Sequence, residues 1–496
     1  MPAFLTHPII SYCLPNTTLT SKTFQEKYKF FILILTFFSY LSYHASRKPI
    51  TIVKAELHMN CSSLDPNNTH PHNSSTWCDW APFDGDDYKT LFSQLDYGFL
   101  LAYAVGMFIS GMTAERTSLR YFLFFGMQLS GIFTILFGLG HDFKIHKFSY
   151  FLLIQIINGF IQSTGWPAVV SLVGNWFGKS KRGLIMGVWN SHTSFGNIFG
   201  SLIAASFVES DWALSFVIPG VVIMVFGVIV LLTVFTSPRD MNLAGGLEGD
   251  NILAESDTNA LLHNNLDENV EEIESEHDED DQERTTITAT THEAISFFQA
   301  LKIPGVLEFS FSLFFAKLVS YTFLFWLPFY LSSAFKMDAR LSGDYSTIFD
   351  IGGIIGGIIA GAYSDYSGKR AVTCGFMLSV GSLFLLIFQS VASINNNLMI
   401  ISLFLTGLVV NGPYALITTA VSADLGTHEC LQGNSGALAT VTSIIDGVGS
   451  VGAATGPFLV GVVAGKSNNW TNVFAMLLVC NVSAVGCLVR LIKKEW

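Results

Sequence analysis

Apolar runs of membrane length, separated by short polar stretches, recur along almost the whole chain. The first starts at Phe30-Phe31-Ile32-Leu33-Ile34-Leu35. The pattern predicts twelve helices over 28–50, 92–112, 121–140, 149–174, 183–207, 212–236, 306–333, 345–364, 372–392, 397–421, 437–463 and 472–492. Runs of about 20 residues suit a bilayer core, where a helix satisfies its own backbone polar groups. Six helices precede a polar stretch and six follow it. The predicted fold is an all-α membrane protein with twelve transmembrane helices in two six-helix bundles. The predicted division is an N-terminal bundle over 1–236, an acidic, disordered cytosolic linker over 237–302, and a C-terminal bundle over 303–496.

Composition narrows this picture. The 496 residues are 50% hydrophobic and 13% charged, with 43 Phe and 43 Gly, too little charge to cover a soluble protein of this size. The net charge of −12 is local: residues 248–284 hold 15 acidic residues and one Arg, a charge of −14, which leaves +2 for the remainder. High charge with few aromatics is the composition of disorder, and nothing in the body suggests a nucleic-acid partner. Met1 to Thr23 lacks the basic start and compact apolar core of a cleavable signal, so the first span is expected to remain as an anchor.

Basic residues near span ends set orientation. With the N-terminus cytosolic, that side holds 13 Lys and Arg, from Lys22 to Lys494, against seven opposite (Lys54, Lys89, Lys144, Lys147, Lys336, Arg340 and Lys466), so both termini are predicted cytosolic. Glycosylation sequons at Asn60, Asn67 and Asn73 fall in the first outer loop and another at Asn469 in the last, on the opposite face. Cys61 and Cys78 share that first loop and would form a disulfide in an oxidising compartment. The seven Cys make no CxxC pair and no metal-ligand spacing, and no metal or cofactor is expected.

The first span carries the candidate chemistry. Its apolar run passes Tyr40 and Tyr43 and meets Ser46-Arg47-Lys48-Pro49. A charge near the bilayer centre costs about 2.5–3.5 kcal/mol on insertion scales, so it normally faces a watery cavity or a counter-charge. Arg47, with Lys48, is therefore read as an anion site; the competing reading is a helix end whose cations snorkel to the surface. The halves also echo one another. Gly111 to Arg116 and Gly361 to Arg370 follow the second span of each half, and Trp166-Pro167 is matched by Gly412-Pro413. Gly196 and Gly200 have Gly-rich counterparts at Gly447, Gly449, Gly452 and Gly456. Small residues let helices approach closely, and such repeats frame a central site in alternating-access carriers.

These residues resemble the major facilitator superfamily, and within it the organophosphate:phosphate antiporters and eukaryotic sugar-phosphate exchangers. The carrying motifs are Ser46-Arg47-Lys48, Asn158-Gly159 through Gln162 to Gly165-Trp166-Pro167, Asn175-Trp176-Phe177-Gly178, Trp189 to Ser194, Ala316-Lys317 through Tyr321, Asp350 through Gly357, and Asn411-Gly412-Pro413-Tyr414 through Asp424. The resemblance covers both bundles. It implies that Arg47 binds the substrate phosphate and that a second cation faces it from the seventh span. Bacterial members place that cation where this chain has Ser320; Lys317, one turn earlier, takes the role, and Met107 stands where they have a lysine. His192 matches a histidine near the substrate. Tyr43, Asn190, Tyr321 and Asn411 are candidate sugar contacts, each of which could instead bond between helices. Sugar phosphates and phosphate are dianions near neutral pH, since the second phosphate pKa is about 6. Two opposed cations would neutralise such a cargo, and unpaired cations in the empty carrier would oppose its closing, which favours exchange over uniport.

Several motifs are set aside. Gly174 to Ser180 is one residue short of a phosphate-binding loop, and Gly447 to Gly452 has dinucleotide-fingerprint spacing inside a membrane helix. Asp350, Asp424 and Asp446 are read as structural partners or caps. Sorting machinery could read Asp257-Thr258-Asn259-Ala260-Leu261-Leu262, an endosomal or lysosomal form, or Lys493-Lys494, a dilysine form for the endoplasmic reticulum. The relatives implied by the resemblance favour the endoplasmic reticulum membrane over the lysosomal one. The expected activity is antiport of a sugar phosphate, glucose 6-phosphate, against inorganic phosphate across the lipid bilayer. The rivals are a carrier of another organic anion, a membrane enzyme, for which no nucleophile, base and metal set exists, and a scaffold without transport.

Overall fold

Helices account for nearly all of the chain that the computed structural model describes, namely Pro8, Ile10 and residues 16–19, 21–59, 79–114, 117–177, 188–244, 297–392, 394–426, 437–464 and 470–496. The sequons at Asn60, Asn67, Asn73 and Asn469, the Cys61–Cys78 pair, residues 257–262 and most of the acidic linker lie outside those residues. Among the described residues twelve helical spans are present, numbered here in chain order. Span 1 is Lys22–Arg47 continued by Pro49–Leu57, span 2 Tyr88–Ala114, span 3 Leu119–Asp142, span 4 Phe148–Gln162 continued by Gly165–Trp176, span 5 His192–Phe207 and span 6 Trp212–Thr233. Spans 7 to 12 are Val306–Phe335, Ala339–Ser367, Arg370–Val391, Asn396–Leu416 with a π-helical turn Ile417–Val421, Ala437–Ala464 and Trp470–Glu495. Among the described residues, ten helices are long and apolar enough to cross a membrane. The two spans outside that set are the first, which is rich in polar residues, and the fifth, whose described helix His192–Phe207 is short.

Proline explains where spans break. Proline donates no N–H and its ring clashes with the carbonyl four residues back. Pro49 therefore ends the Lys22–Arg47 helix and opens the next, with Lys48 as the joint. Pro167 does the same for span 4, which breaks at Ser163 and Thr164. Each break follows a residue of the site: Arg47 closes the first piece of span 1, and Gln162 the first piece of span 4. Discontinuous helices of this kind frame mid-membrane sites in transporters.

Glycines set how closely spans approach. A Cβ at Gly196 or Gly200 in span 5 would collide with the carbonyl oxygens of Leu41 and Ala45 in span 1, and one at Gly452 or Gly456 in span 11 with those of Phe314 and Leu318 in span 7. The 1–5 and 7–11 contacts are thus the same device used once in each half.

Three apolar clusters reveal the state of the molecule. One, around Tyr28, Leu172 and Phe235, is drawn from residues before 242, and another, around Val306, Cys374 and Leu416, from residues after 299. Both lie toward the face that holds Lys22 and Glu495, called here the terminal face. The third joins the halves on the opposite face, where Ile52, Phe83 and Phe92 meet Phe325, Phe329 and Tyr330. The halves are sealed together far from the termini and keep separate cores near them. The C-terminal helix is anchored: the Glu495 carboxylate accepts from the Ala371 and Val372 amides at 3.1 and 3.0 Å, at the N-terminus of span 9, where a carboxylate is favoured by the helix dipole.

Candidate functional site

Two adjoining chambers lie between the halves. The larger holds about 590 Å³ of open space between spans 5, 7, 8 and 10. The smaller, of about 290 Å³, is bounded by spans 1, 2, 7 and 11. His44, Asn190, Thr193, Tyr321 and Tyr414 border both, so the two form one continuous cavity. Gly357 and Ala415 extend its wall toward the terminal face, and Leu324 and Phe349 end it near the shared apolar cluster.

Arg47 is buried beside this cavity. Its Nε donates to Gln162 Oε1 at 2.7 Å, and Gln162 Nε2 donates to Ser46 Oγ at 3.0 Å, so one amide fixes two neighbouring residues. The guanidinium stacks on the Tyr103 ring at 4.7 Å, and Tyr103 stands in the wall of the smaller chamber. Tyr40, hydroxyl to hydroxyl with Tyr103 at 3.2 Å, stands beside it. Arg47 Nη2 is buried with no hydrogen-bond partner. A buried, unpaired donor costs about 1–3 kcal/mol, more when charged. Among the described residues no carboxylate reaches Arg47.

The other interior cations are held differently. Lys317 donates to Asp446 at 2.8 Å and lies in the chamber wall. Lys48 turns away from the chambers: its ammonium donates to the Leu324 carbonyl at 3.1 Å and stands 4.0 Å from Asp350. Pro328 follows Leu324 by four residues inside span 7, so it leaves that carbonyl without its helical donor, and Lys48 supplies one from the other half. Lys54, expected at the outer membrane edge, is instead fully buried; it pairs with Asp96 and donates to the Phe325 carbonyl at 3.2 Å. Seven residues separate it from Arg47, which puts both on one helical face, a signal the flank count passed over.

The structure brings Lys317, Asn190, Tyr321 and Asn411 into the cavity wall. It does not put the other four predicted residues in the wall of either chamber. Arg47 lies behind Tyr103, and Lys48 bridges the halves. His192 is enclosed by Tyr40, Trp189 and Phe37, with ring centres at 4.9, 4.4 and 5.9 Å. Tyr43 is fully buried against Gly165 and Gly126 of spans 4 and 3, because those glycines leave space for its ring. Ser320, at the bacterial cation position, bonds instead to Asn411. The three acids read as structural are all paired, Asp424 with Arg370 at 2.9 Å. Of these four interior cations, Lys317, Lys48 and Lys54 each face a carboxylate and Arg47, among the described residues, does not.

The chain resembles known proteins throughout its length. The profile of the Major Facilitator Superfamily matches residues 32–429 and 309–495. The glucose-6-phosphate exchanger SLC37A2 of Danio rerio is 52% identical over 96% of this chain and 94% of its own. Human glucose-6-phosphate exchanger SLC37A1 is 48% identical, covering 95% of this chain and 94% of its own. A bacterial homolog of the human lysosomal transporter Spinster, solved inward-facing and unoccupied, superposes with a TM-score of 0.58 at 15% identity, over 94% of this chain and 93% of that one. At that identity the likeness shows the fold alone.

Proposed function

The chain belongs to the major facilitator superfamily, and from that premise we propose that it exchanges glucose 6-phosphate for inorganic phosphate by alternating access. Arg47 carries the reading: a buried guanidinium with one nitrogen unpaired and no carboxylate nearby is a site prepared for an anion. Lys317 supports it from the facing half. Its ammonium has three donors and spends its best on Asp446, so a phosphate oxygen in the smaller chamber can take another. The polar wall of Asn190, Tyr321 and Asn411 suits hydroxyls beyond the phosphate. Relatives at about half identity carry the name of glucose-6-phosphate exchangers.

The arrangement also supports how exchange is enforced. The seal opposite the termini is made of apolar packing and Lys48 and Lys54 reaching two carbonyls. Closing the terminal face would bring Arg47 and the Lys317 wall around the cargo, and without an anion the Arg47 charge would be enclosed uncompensated. The working division is a bundle over 1–236, a linker over 237–302 and a bundle over 303–496, with both termini in the cytosol. The membrane proposed is that of the endoplasmic reticulum, with Lys493 and Lys494 exposed on the terminal face; the acidic dileucine form at 257–262 supports the endosomal and lysosomal alternative. The test is reconstitution. Vesicles loaded with phosphate should accumulate labelled glucose 6-phosphate, and empty vesicles should not. Equal uptake by both, or chemical change of the label, refutes exchange.

A further inference from the structure

The larger chamber holds a carboxylate that an anion carrier has no evident use for. Asp350, on span 8, is buried, 3% exposed, yet part of the cavity wall. A buried carboxylate normally fills its lone pairs with donors. Asp350 fills them unevenly. Asn197 Nδ2 donates to Oδ1 at 3.0 Å, and Asn197 is itself 3.3 Å from His44 Nδ1. At Oδ2 the nearest cation is Lys48, whose Nζ stands 4.0 Å away, beyond hydrogen-bond reach, and donates to Leu324 instead. Asp446, the other acid of the cavity, contrasts with this: its oxygen takes Lys317 at 2.8 Å. Lys48 thus balances the charge of Asp350 without occupying its second oxygen.

The neighbours of Asp350 are also unspent. Asn190 makes no side-chain hydrogen bond to the described residues, and Asn411 uses only its oxygen, accepting from Ser320. A free carboxylate oxygen beside the free amide of Asn190 and the free amino group of Asn411 is a chemistry for neutral hydroxyls: the carboxylate accepts, Asn411 donates and Asn190 can do both. It is hostile to a second phosphate. The cavity is therefore uneven. The Lys317–Asp446 pair lines the smaller chamber with unpaired Arg47 behind Tyr103, Asp350 and Asn411 line the larger, and Asn190 borders both.

We propose that Asp350 is a specificity-determining residue that accepts hydrogen bonds from the hydroxyls of the sugar while the phosphate lies at the Arg47 and Lys317 end. This rests on the exchanger reading above and deepens it. Inorganic phosphate, lacking hydroxyl-bearing carbon, gains nothing at Asp350, so the residue separates the two cargoes of one carrier. A purely structural role as the Lys48 partner between the halves would act on the transport cycle itself and slow both cargoes alike.

The test measures both cargoes with the full chain in phosphate-loaded vesicles. Asp350→Asn should raise KM for glucose 6-phosphate at least tenfold, and by a factor at least five times larger than any change in KM for phosphate self-exchange. Equal changes in the two constants, or no change in either, overturn the proposal. A second measurement uses the unmodified protein. Monodeoxy glucose 6-phosphates, each lacking one hydroxyl, compete against phosphate self-exchange, and at least one should inhibit tenfold more weakly than glucose 6-phosphate. If all inhibit as well as the parent sugar, the proposal is overturned whether or not the variant folds. If the unmodified protein exchanges phosphate but neither carries nor is inhibited by glucose 6-phosphate, the exchanger reading fails first and takes this one with it.

Discussion

Each half holds one cation near the smaller chamber, Arg47 behind the Tyr103 ring and Lys317 in the wall, and they hold it in opposite ways. In the first half, Arg47 is fixed by a neutral amide and an aromatic ring and has a nitrogen left over. In the second, Lys317 is bound to Asp446 at 2.8 Å. The difference separates two jobs that a pair of cations would otherwise share. Removing one partner of a buried ion pair costs about 3–5 kcal/mol because a charge is left alone, so Lys317 and Asp446 hold up the fold as well as lining the cavity. Among the described residues no carboxylate answers Arg47, and on the proposed reading its charge is the one left for cargo. The proposal then rests the strictness of exchange on a single residue rather than on two.

Breaking the comparison at its stronger end gives the largest effect. Arg47→Ala should lower exchange about 100-fold or more, the loss of two charge-assisted hydrogen bonds at about 1.5 kcal/mol each or better, while the thermal midpoint holds or rises; uptake and melting on one preparation check both. Lys317→Ala should reverse the emphasis, with exchange down about tenfold and stability down by about 3–5 kcal/mol. Adding Asp446→Ala to it should recover most of the stability and little of the exchange, which denaturation and uptake read separately. Arg47→Lys keeps the charge and loses the planar fork, so exchange should fall about tenfold with the salt response intact. Pro328→Ala, the mildest, restores an N–H that competes with Lys48 for Leu324; a two- to threefold change in rate is expected, with accessibility of the far face to a thiol reagent, through a cysteine at Ile52, rising in parallel.

The spans were legible because a bilayer demands length and apolarity, and every predicted helix has a counterpart within a few residues at most ends. Larger departures are at both ends of span 1 and at the starts of spans 5 and 8: helix begins at Lys22 and Ala339 and the first span runs on to Leu57, because polar turns can extend a helix beyond the hydrocarbon, while the fifth begins at His192, with 183–187 outside the described residues. That Arg47 would lie inside rather than at a helix end was legible for the same reason, as a charge where charge is costly. The partners were not. Nothing local in the sequence ties Lys317 to Asp446, 129 residues on, or Lys54 to Asp96. Lys54 was counted with the outer flank because its neighbours read as a helix end, whereas Pro49–Leu57 carries the helix past it into the seal. Tyr43 and His192 share their sequence neighbourhood with the site, yet glycines opposite one and aromatic rings around the other turn both toward packing.

Pro328 has a consequence for how the molecule moves. An acceptor whose helical donor was deleted in the sequence is vacant in every conformation, so Lys48 can leave it without any turn of span 7 unwinding or re-forming. Water that floods the gap takes over at little expense. On the alternating-access reading, the far side can therefore part and rejoin along a helix that never has to melt.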